Sequence, residues 1–306
     1  MQILVISGFL GAGKTTFIQT LAEKTGREYV VMENEYSETG IDGDLLQQDR
    51  LKIWELTEGC ICCSRKSDFA TSILTIANTL NPETLIIEPT GAGLLSAVLH
   101  NIRKIAHARI RILPPITIID AHSVAHYLHT FHDIYTDQIR HAPRLLLSKT
   151  GHLGSGETAH IADTLRAVNP QADILTTPYE EQPDAWWRQL LQPTGKVPEI
   201  SAPAYRPAAH SSGLESTAIT GLHIPSVHEL LEILIAMLRG YFGNVHRAKG
   251  CVPIGGQWTR FDIAGKQYSV TQCAAMPAAK AVIIGQQLQK NALTVAFNGE
   301  PEKGRD

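Results

Sequence analysis

The chain has 306 residues, of which 43% are hydrophobic, 19% charged and 6% aromatic. That is the composition of a globular chain and excludes a disordered, collagenous or coiled-coil protein. Lys and Arg number 27 against 30 Asp and Glu, a formal charge of −3, so the basic excess that drives phosphate-backbone binding is missing and nucleic acid is not an expected partner.

No apolar stretch approaches the roughly 20 residues needed to cross a bilayer. The opening MQILVISGFLGAGK carries no basic leader, and the expectation is a cytoplasmic protein without a membrane partner. Five cysteines, three of them crowded at Cys60, Cys62 and Cys63, fit a reducing compartment with metal or redox chemistry better than a disulfide framework.

In chain order, short aliphatic runs at 2–7, 28–32, 84–87, 115–119, 144–147 and 172–176 read as strands buried on both faces. Amphipathic segments near 14–25, 66–80, 91–106, 122–130 and 156–168 separate them. This βαβ rhythm predicts an α/β domain over 1–195: a P-loop NTPase fold with a doubly wound, mostly parallel sheet. A Pro-, Ser- and Gly-rich linker follows over 196–214. A smaller C-terminal α+β domain over 215–306 is expected to hold a strand at 215–222 and a helix near 225–239, with Val227, Leu230, Leu231, Leu234 and Leu238 at helical spacing. Further strands are expected around 245–253, 258–263, 267–273 and 281–284.

Gly8-Phe9-Leu10-Gly11-Ala12-Gly13-Lys14-Thr15-Thr16 satisfies G-x-x-x-x-G-K-[ST] between a buried strand and a helix. The backbone N–H groups around Gly11, Ala12 and Gly13 can converge on phosphates, Lys14 can reach the β/γ oxygens, and the Thr15 hydroxyl suits Mg²⁺. Glu88 ends the aliphatic run Leu85-Ile86-Ile87 and is the candidate acidic ligand or water-holder, with Gly91 placed to approach a γ-phosphate. A helix-terminal carboxylate complementing a dipole is the plainer reading of Glu88. After the run at 144–147 comes Ser148-Lys149-Thr150-Gly151, where guanine-specific proteins carry N-K-x-D. Lys149 can stack on a purine and Ser148 can tie the loop down, but Gly151 offers no carboxylate to the base.

Gly59-Cys60-Ile61-Cys62-Cys63 forms a C-x-C-C cluster of soft donors suited to Zn²⁺ or Cu(I), and carboxylate or imidazole co-ligands widen the choice toward Co²⁺ or Ni²⁺. In an extended backbone Cys60 and Cys62 point one way and Cys63 the other, so three sulfurs on one ion need a turn. A vicinal redox pair and inert buried thiols are the other readings. Glu33, Glu35 and Glu38 follow the second strand, where a nucleotide-responsive segment would sit, and are candidate co-ligands. His122, His126, His129 and His132 fall at spacings that place them on one stripe of a helix, read as a solvated face or as a second metal site. Trp186 and Trp187 are read as packing residues.

Together GFLGAGKTT at 8–16, ENEYSETGID at 33–42, GCICC at 59–63, IIEPTG at 86–91 and RAKG at 247–250 resemble the CobW-like metallochaperone GTPases, relatives of the GTPases of urease and hydrogenase nickel maturation. The resemblance implies a Mg²⁺-dependent enzyme that binds and hydrolyses GTP to GDP and carries zinc, cobalt or nickel to a metal-requiring client, with the C-terminal domain serving client or partner recognition. It implies nucleotide contacts at Gly11, Gly13, Lys14, Thr15 and Thr16. It also implies that Asp42 and Glu88 attend Mg²⁺ or the attacking water, and that Cys60, Cys62 and Cys63 hold the metal, with Glu33 and Glu38 as co-ligands. SKTG departs from the family's N/S-K-x-D pattern. No arginine finger is evident, so turnover is expected to be slow, with the client, the metal or a second subunit in a homodimer completing the site. The rival readings are a metal buffer or sensor with incidental hydrolysis and a small-molecule kinase, whose arginine-bearing lid the sequence does not show.

Overall fold

The computed structural model describes residues 1–33, 51–55, 66–106, 109–193, 197, 213–265 and 267–298. They belong to two compact units, each taken separately below.

The first unit is built on an eight-stranded sheet. Its strands are β1 (Gln2–Gly8), β2 (Tyr29–Glu33), β3 (Leu51–Glu55), β4 (Thr84–Glu88), β5 (Arg111–Ile112), β6 (Ile116–Asp120), β7 (Arg144–Ser148) and β8 (Asp173–Leu175). Every pairing is parallel, and the order is β3-β2-β4-β1-β6-β7-β8, with β5 also on β1. Ile3, Leu4, Val5, Ile6, Leu85, Ile86 and Ile87 are completely buried, as strands covered on both faces must be. β5 and β6 lie along the same edge of β1. Pro114-Pro115 separates them, because two residues without N–H groups cannot continue a ladder.

The helices are α1 (Lys14–Thr25), α2 (Lys66–Thr79), α3 (Leu95–Arg103), α4 (Val124–Thr130), α5 (His132–Arg140), α6 (Ser155–Val168) and α7 (Asp184–Gln189). Trp187 is fully buried in the core, with its ring 5.2 Å from that of Phe17 on α1, and Trp186 packs against the same cluster; both are packing residues, as expected. β3, α5 and α7 were not anticipated. The helix containing the histidines ends early: α4 stops at Thr130 and Phe131 turns the chain (φ −125°, ψ 41°) into α5. His122 precedes α4 and His132 opens α5, so the expected single helical stripe is instead four exposed side chains spread over a turn and two helices.

The second unit carries a five-stranded antiparallel sheet in the order β12-β11-β10-β13-β9. The strands are β9 (Leu214–Thr220), β10 (Asn244–Ile254), β11 (Gln257–Ala264), β12 (Gln267–Gln272) and β13 (Lys280–Gln286). α8 (Val227–Leu238) and α9 (Lys290–Asn298) close its core. Leu230, Leu234 and Met237 are the buried positions of α8, whereas Val227 is 45% exposed, so the buried stripe is narrower than the apolar spacing suggested. Gly250, in the RAKG segment, makes room for an aromatic ring: a Cβ there would lie 2.2 Å from Phe261 Cζ. Phe261 in turn stacks on Phe297 of α9, with centroids 5.5 Å apart. Among the described residues, no helix is long and apolar enough to cross a membrane.

Candidate functional site

β1 is the hinge of the topology. From it the chain builds outward through β4, β2 and β3 on one side and through β6, β7 and β8 on the other, and in open α/β sheets ligands bind beyond the carboxyl ends of strands at such a switch. The residues that close β1, β4 and β6 there are Gly8, Glu88 and Asp120.

The loop from Phe9 to Gly13 turns β1 into α1, whose N-cap Gly13 is left-handed (φ 99°) and supplies no side-chain cap. The first N–H groups of α1 are therefore not capped by a side chain, the condition under which a helix start binds phosphate. Lys14 is buried, with Nζ 3.6 Å from Glu88 Oε1. Thr15 Oγ1 lies 3.5 Å from both Glu88 oxygens. Lys14, Thr15 and Glu88 are thus brought together from two elements. Thr16 is exposed, and its carbonyl accepts the Thr20 hydroxyl at 2.9 Å.

Gly91 follows Glu88 and lies against the glycine loop. A Cβ at this position would come within 2.7 Å of Leu10 N and 2.9 Å of Leu10 Cα, so only glycine lets the two backbones touch. Its carbonyl is held from the other side: Gln138 Nε2 on α5 donates to Gly91 O at 3.0 Å and to Gly93 O at 2.9 Å. Phe9, buried, is enclosed by Tyr127 and Phe131 at centroid distances of 4.4 and 4.9 Å and by Tyr135 at 5.9 Å. The α4–α5 hairpin therefore grips both the glycine loop and the loop after β4. Burial raises the Tyr135 phenol pKa, and Asp120 adds to the shift, so the group stays protonated.

Beyond β7, Ser148 Oγ donates to Ala12 O at 2.6 Å, which ties this strand end to the glycine loop. Lys149, in the left-handed region (φ 59°), places Nζ 2.7 Å from Asp120 Oδ2. Gly151 faces open space, with nothing within 4 Å of an added Cβ.

Glu33 is buried at the end of β2. Its strand partners in register are Glu88 on β4 and Glu55 on β3, so three glutamates follow one another across the carboxyl edge. Glu35, Glu38, Asp42, Cys60, Cys62 and Cys63 lie outside the described residues. Among the described residues no group of three or more His, Cys, Asp or Glu is placed to hold a metal. Asp120 and Gln138 were not anticipated. Asp120 carries the signal used for Glu88, a carboxylate closing an aliphatic run, whereas Gln138 has no local signal.

The sequence model of the CobW/HypB/UreG nucleotide-binding domain matches residues 2–176. The chain belongs to the CobW/HypB/UreG family. Within the curated proteins, this family member is similar to the zinc chaperone YjiA of Escherichia coli, with 27% identity over 318 residues covering 98% of each chain. It is also similar to the zinc chaperone YeiR of the same organism, 30% identical over 195 residues, 60% of this chain and 51% of that one. A third relative is the zinc-regulated GTPase metalloprotein activator 1 of Schizosaccharomyces pombe, 26% identical over 58% of this chain and 46% of that one. Among solved structures, Zn(II)-bound YjiA GTPase from E. coli aligns over 97% of both chains with a TM-score of 0.46 and 22% identity. HypB from Helicobacter pylori in complex with nickel aligns over 62% of this chain and 85% of that one, with a TM-score of 0.45 and 18% identity.

Proposed function

We propose that this CobW/HypB/UreG family member is a Mg²⁺-dependent GTPase that carries a transition metal, zinc before cobalt or nickel, and passes it to a metal-requiring client protein. The observation that carries the reading is the convergence of Lys14 and Thr15 on Glu88 at the mouth of an uncapped glycine loop. The names of the curated relatives, zinc chaperones and a metalloprotein activator, support the cargo and the client.

The residues fit a hard cation beside phosphates. A hydroxyl and a carboxylate 3.5 Å apart, with a buried lysine next to them, form an all-oxygen donor set of the kind Mg²⁺ takes. Thr15 and Glu88, with Asp42, would hold it; when bound, Mg²⁺ neutralises charge on the β- and γ-phosphates. The protein's own part is positional and electrostatic. Lys14 exchanges Glu88 for phosphate oxygens, and the N–H groups of Gly11 to Thr16 cradle the phosphates. Gly91, pressed on Leu10, offers its N–H to the γ-phosphate side, while Glu88 orients the attacking water. Ser148 and Lys149 line the base side.

Cys60, Cys62 and Cys63, with Glu33 and Glu38, form the cargo site. Glu33 is the residue through which the two sites communicate, since it stands beside Glu88 in the ladder and directly precedes the segment holding Glu38 and Asp42. Nucleotide state thereby sets metal affinity, since losing a ligand weakens metal binding.

Competitive zinc binding to the empty, GDP-loaded and GTP-analogue-loaded protein, alongside a C60S/C62S/C63S variant, tests this. The reading requires affinity to change about tenfold or more with nucleotide, roughly 1.4 kcal/mol of coupling, and the change to vanish in the variant. Equal zinc affinity in all three forms would leave a buffer or sensor in which hydrolysis is incidental.

A further inference from the structure

Asp120 is a buried carboxylate that the phosphate chemistry described above does not use. It closes β6 in register with Ser148, the last residue of β7. Both of its oxygens are committed. Oδ1 accepts the His122 N–H at 3.0 Å, which locks the carboxylate onto its own turn, and Oδ2 accepts Lys149 Nζ at 2.7 Å. The other end of the pair is equally constrained. Lys149 lies in the left-handed region at φ 59°, uncommon for a residue with a Cβ. Ser148 before it is pinned, its hydroxyl 2.6 Å from Ala12 O and 3.2 Å from Ile119 O, and its carbonyl accepts the Ala121 N–H at 3.2 Å. The Asp120 side chain is 8% exposed and that of Lys149 41%, so the carboxylate is the fixed member and the lysine is what it holds.

Resting on the nucleotide reading above, we propose that Asp120 is the positioning residue for the base of a purine nucleotide: by fixing the Lys149 ammonium it holds the lysine stem as the surface on which the ring lies. Asp120 itself does not touch the nucleotide. A lysine is a compact charge on a flexible stem, and one left loose beside a glycine loop is drawn to phosphate. Tethered to a carboxylate, its charge is neutralised and its methylene stem is what remains to be covered. The adjoining loop leaves room for a ring, since nothing lies within 4 Å of a Cβ added at Gly151. A methylene stem meets the face of a purine and not its edge, so the tether raises affinity for guanine and adenine nucleotides alike. It adds nothing to the affinity for the phosphates alone, which are held by the glycine loop and Lys14. Asp120 therefore separates the two lysines by task, one for phosphate and one for base.

The test is calorimetric titration of the full chain, with Mg²⁺ present, by GTP, ATP and inorganic tripolyphosphate, which offers the phosphates without a base. Asp120→Asn keeps the acceptor for the His122 N–H and gives up the charge. It should weaken GTP and ATP by the same factor, about tenfold, and leave tripolyphosphate within about twofold of the parent. Lys149→Ala should reproduce this pattern, and the double variant should bind GTP no more weakly than Lys149→Ala alone, because Asp120 acts only through the lysine. Lys149→Met leaves Asp120 in place and keeps a stem with nothing to tether; it should lose GTP affinity as Lys149→Ala does, a comparison that stands even where Asp120→Asn fails to fold. Tripolyphosphate weakened as much as GTP would reduce the pair to a structural tie between strand ends. Parental GTP affinity in Asp120→Asn or in Lys149→Met, or losses that multiply in the double variant, would also overturn the proposal. A parent chain that binds GTP no better than tripolyphosphate would remove the base subsite and leave the phosphate loop standing, whereas a parent that binds neither would remove the nucleotide reading and this assignment with it.

Discussion

Gln138 holds the carbonyl of Gly91 at 3.0 Å across 47 positions of sequence. The same amide holds Gly93 O, and the backbone oxygen of Gln138 accepts the Thr117 hydroxyl at 2.9 Å. One buried side chain on α5 therefore fixes the loop that follows the Glu88 strand to the helix layer, and Gly91 in turn touches the glycine loop at Leu10.

Replacing Gln138 with Leu removes both donors and leaves two buried carbonyls without them, a loss of about 1–3 kcal/mol for each buried group stranded. Denaturant melts should show reduced stability. Under the proposed mechanism GTP turnover should fall while GDP affinity is nearly unchanged, because the amide acts on the γ-phosphate side. An equal loss of affinity for both nucleotides would reduce Gln138 to a packing role.

Lys14→Ala takes away the ammonium that lies against Glu88. Charge-assisted contacts to phosphate are worth about 1.5–3 kcal/mol each, so titration should show GTP affinity reduced roughly 10- to 100-fold or more. Far-ultraviolet circular dichroism should remain that of the parent, since the parallel core does not include this side chain.

Gly151→Asp should be accommodated, for nothing lies within 4 Å of a Cβ there. A carboxylate at this position can accept hydrogen bonds from guanine but not from adenine in the same geometry. Competition binding should show GTP preferred over ATP by about tenfold more than in the parent, with the melting temperature unchanged. An unaltered ratio would mean that the base does not sit beside this loop.

Phe9→Ala empties the space between Tyr127, Phe131 and Tyr135. Truncating a buried Phe costs about 3–5 kcal/mol, and because the ring joins the glycine loop to the α4–α5 hairpin, nucleotide should rescue part of the lost stability. A melting temperature within a degree of the parent's would contradict the packing described.

His141 is bonded to Asp137, which raises its pKa above 6.5 despite opposing desolvation. With the folded value above the unfolded one, its contribution is complete below about pH 6.5 and is lost as pH rises through the folded value. Urea midpoints measured from pH 5.5 to 8.5 should fall across that window, and His141→Gln should flatten the slope.

The glycine loop, the aliphatic strands and Glu88 were legible in the sequence because each is a local pattern. A buried parallel strand must be apolar throughout, and a phosphate loop needs glycine and lysine at fixed offsets. β3 was missed because Leu51-Lys52-Ile53-Trp54-Glu55 is interrupted by Lys52 and Glu55, which an edge strand tolerates, rather than running aliphatic. α5 was missed because the turn at Phe131 carries no Gly or Pro. The register that sets Glu33 beside Glu88 and the Gln138 clasp on Gly91 join residues separated by tens of positions. No periodicity encodes such pairs: sequence determines which segments are buried, but only the order in which strands and helices pack determines which of their polar groups meet.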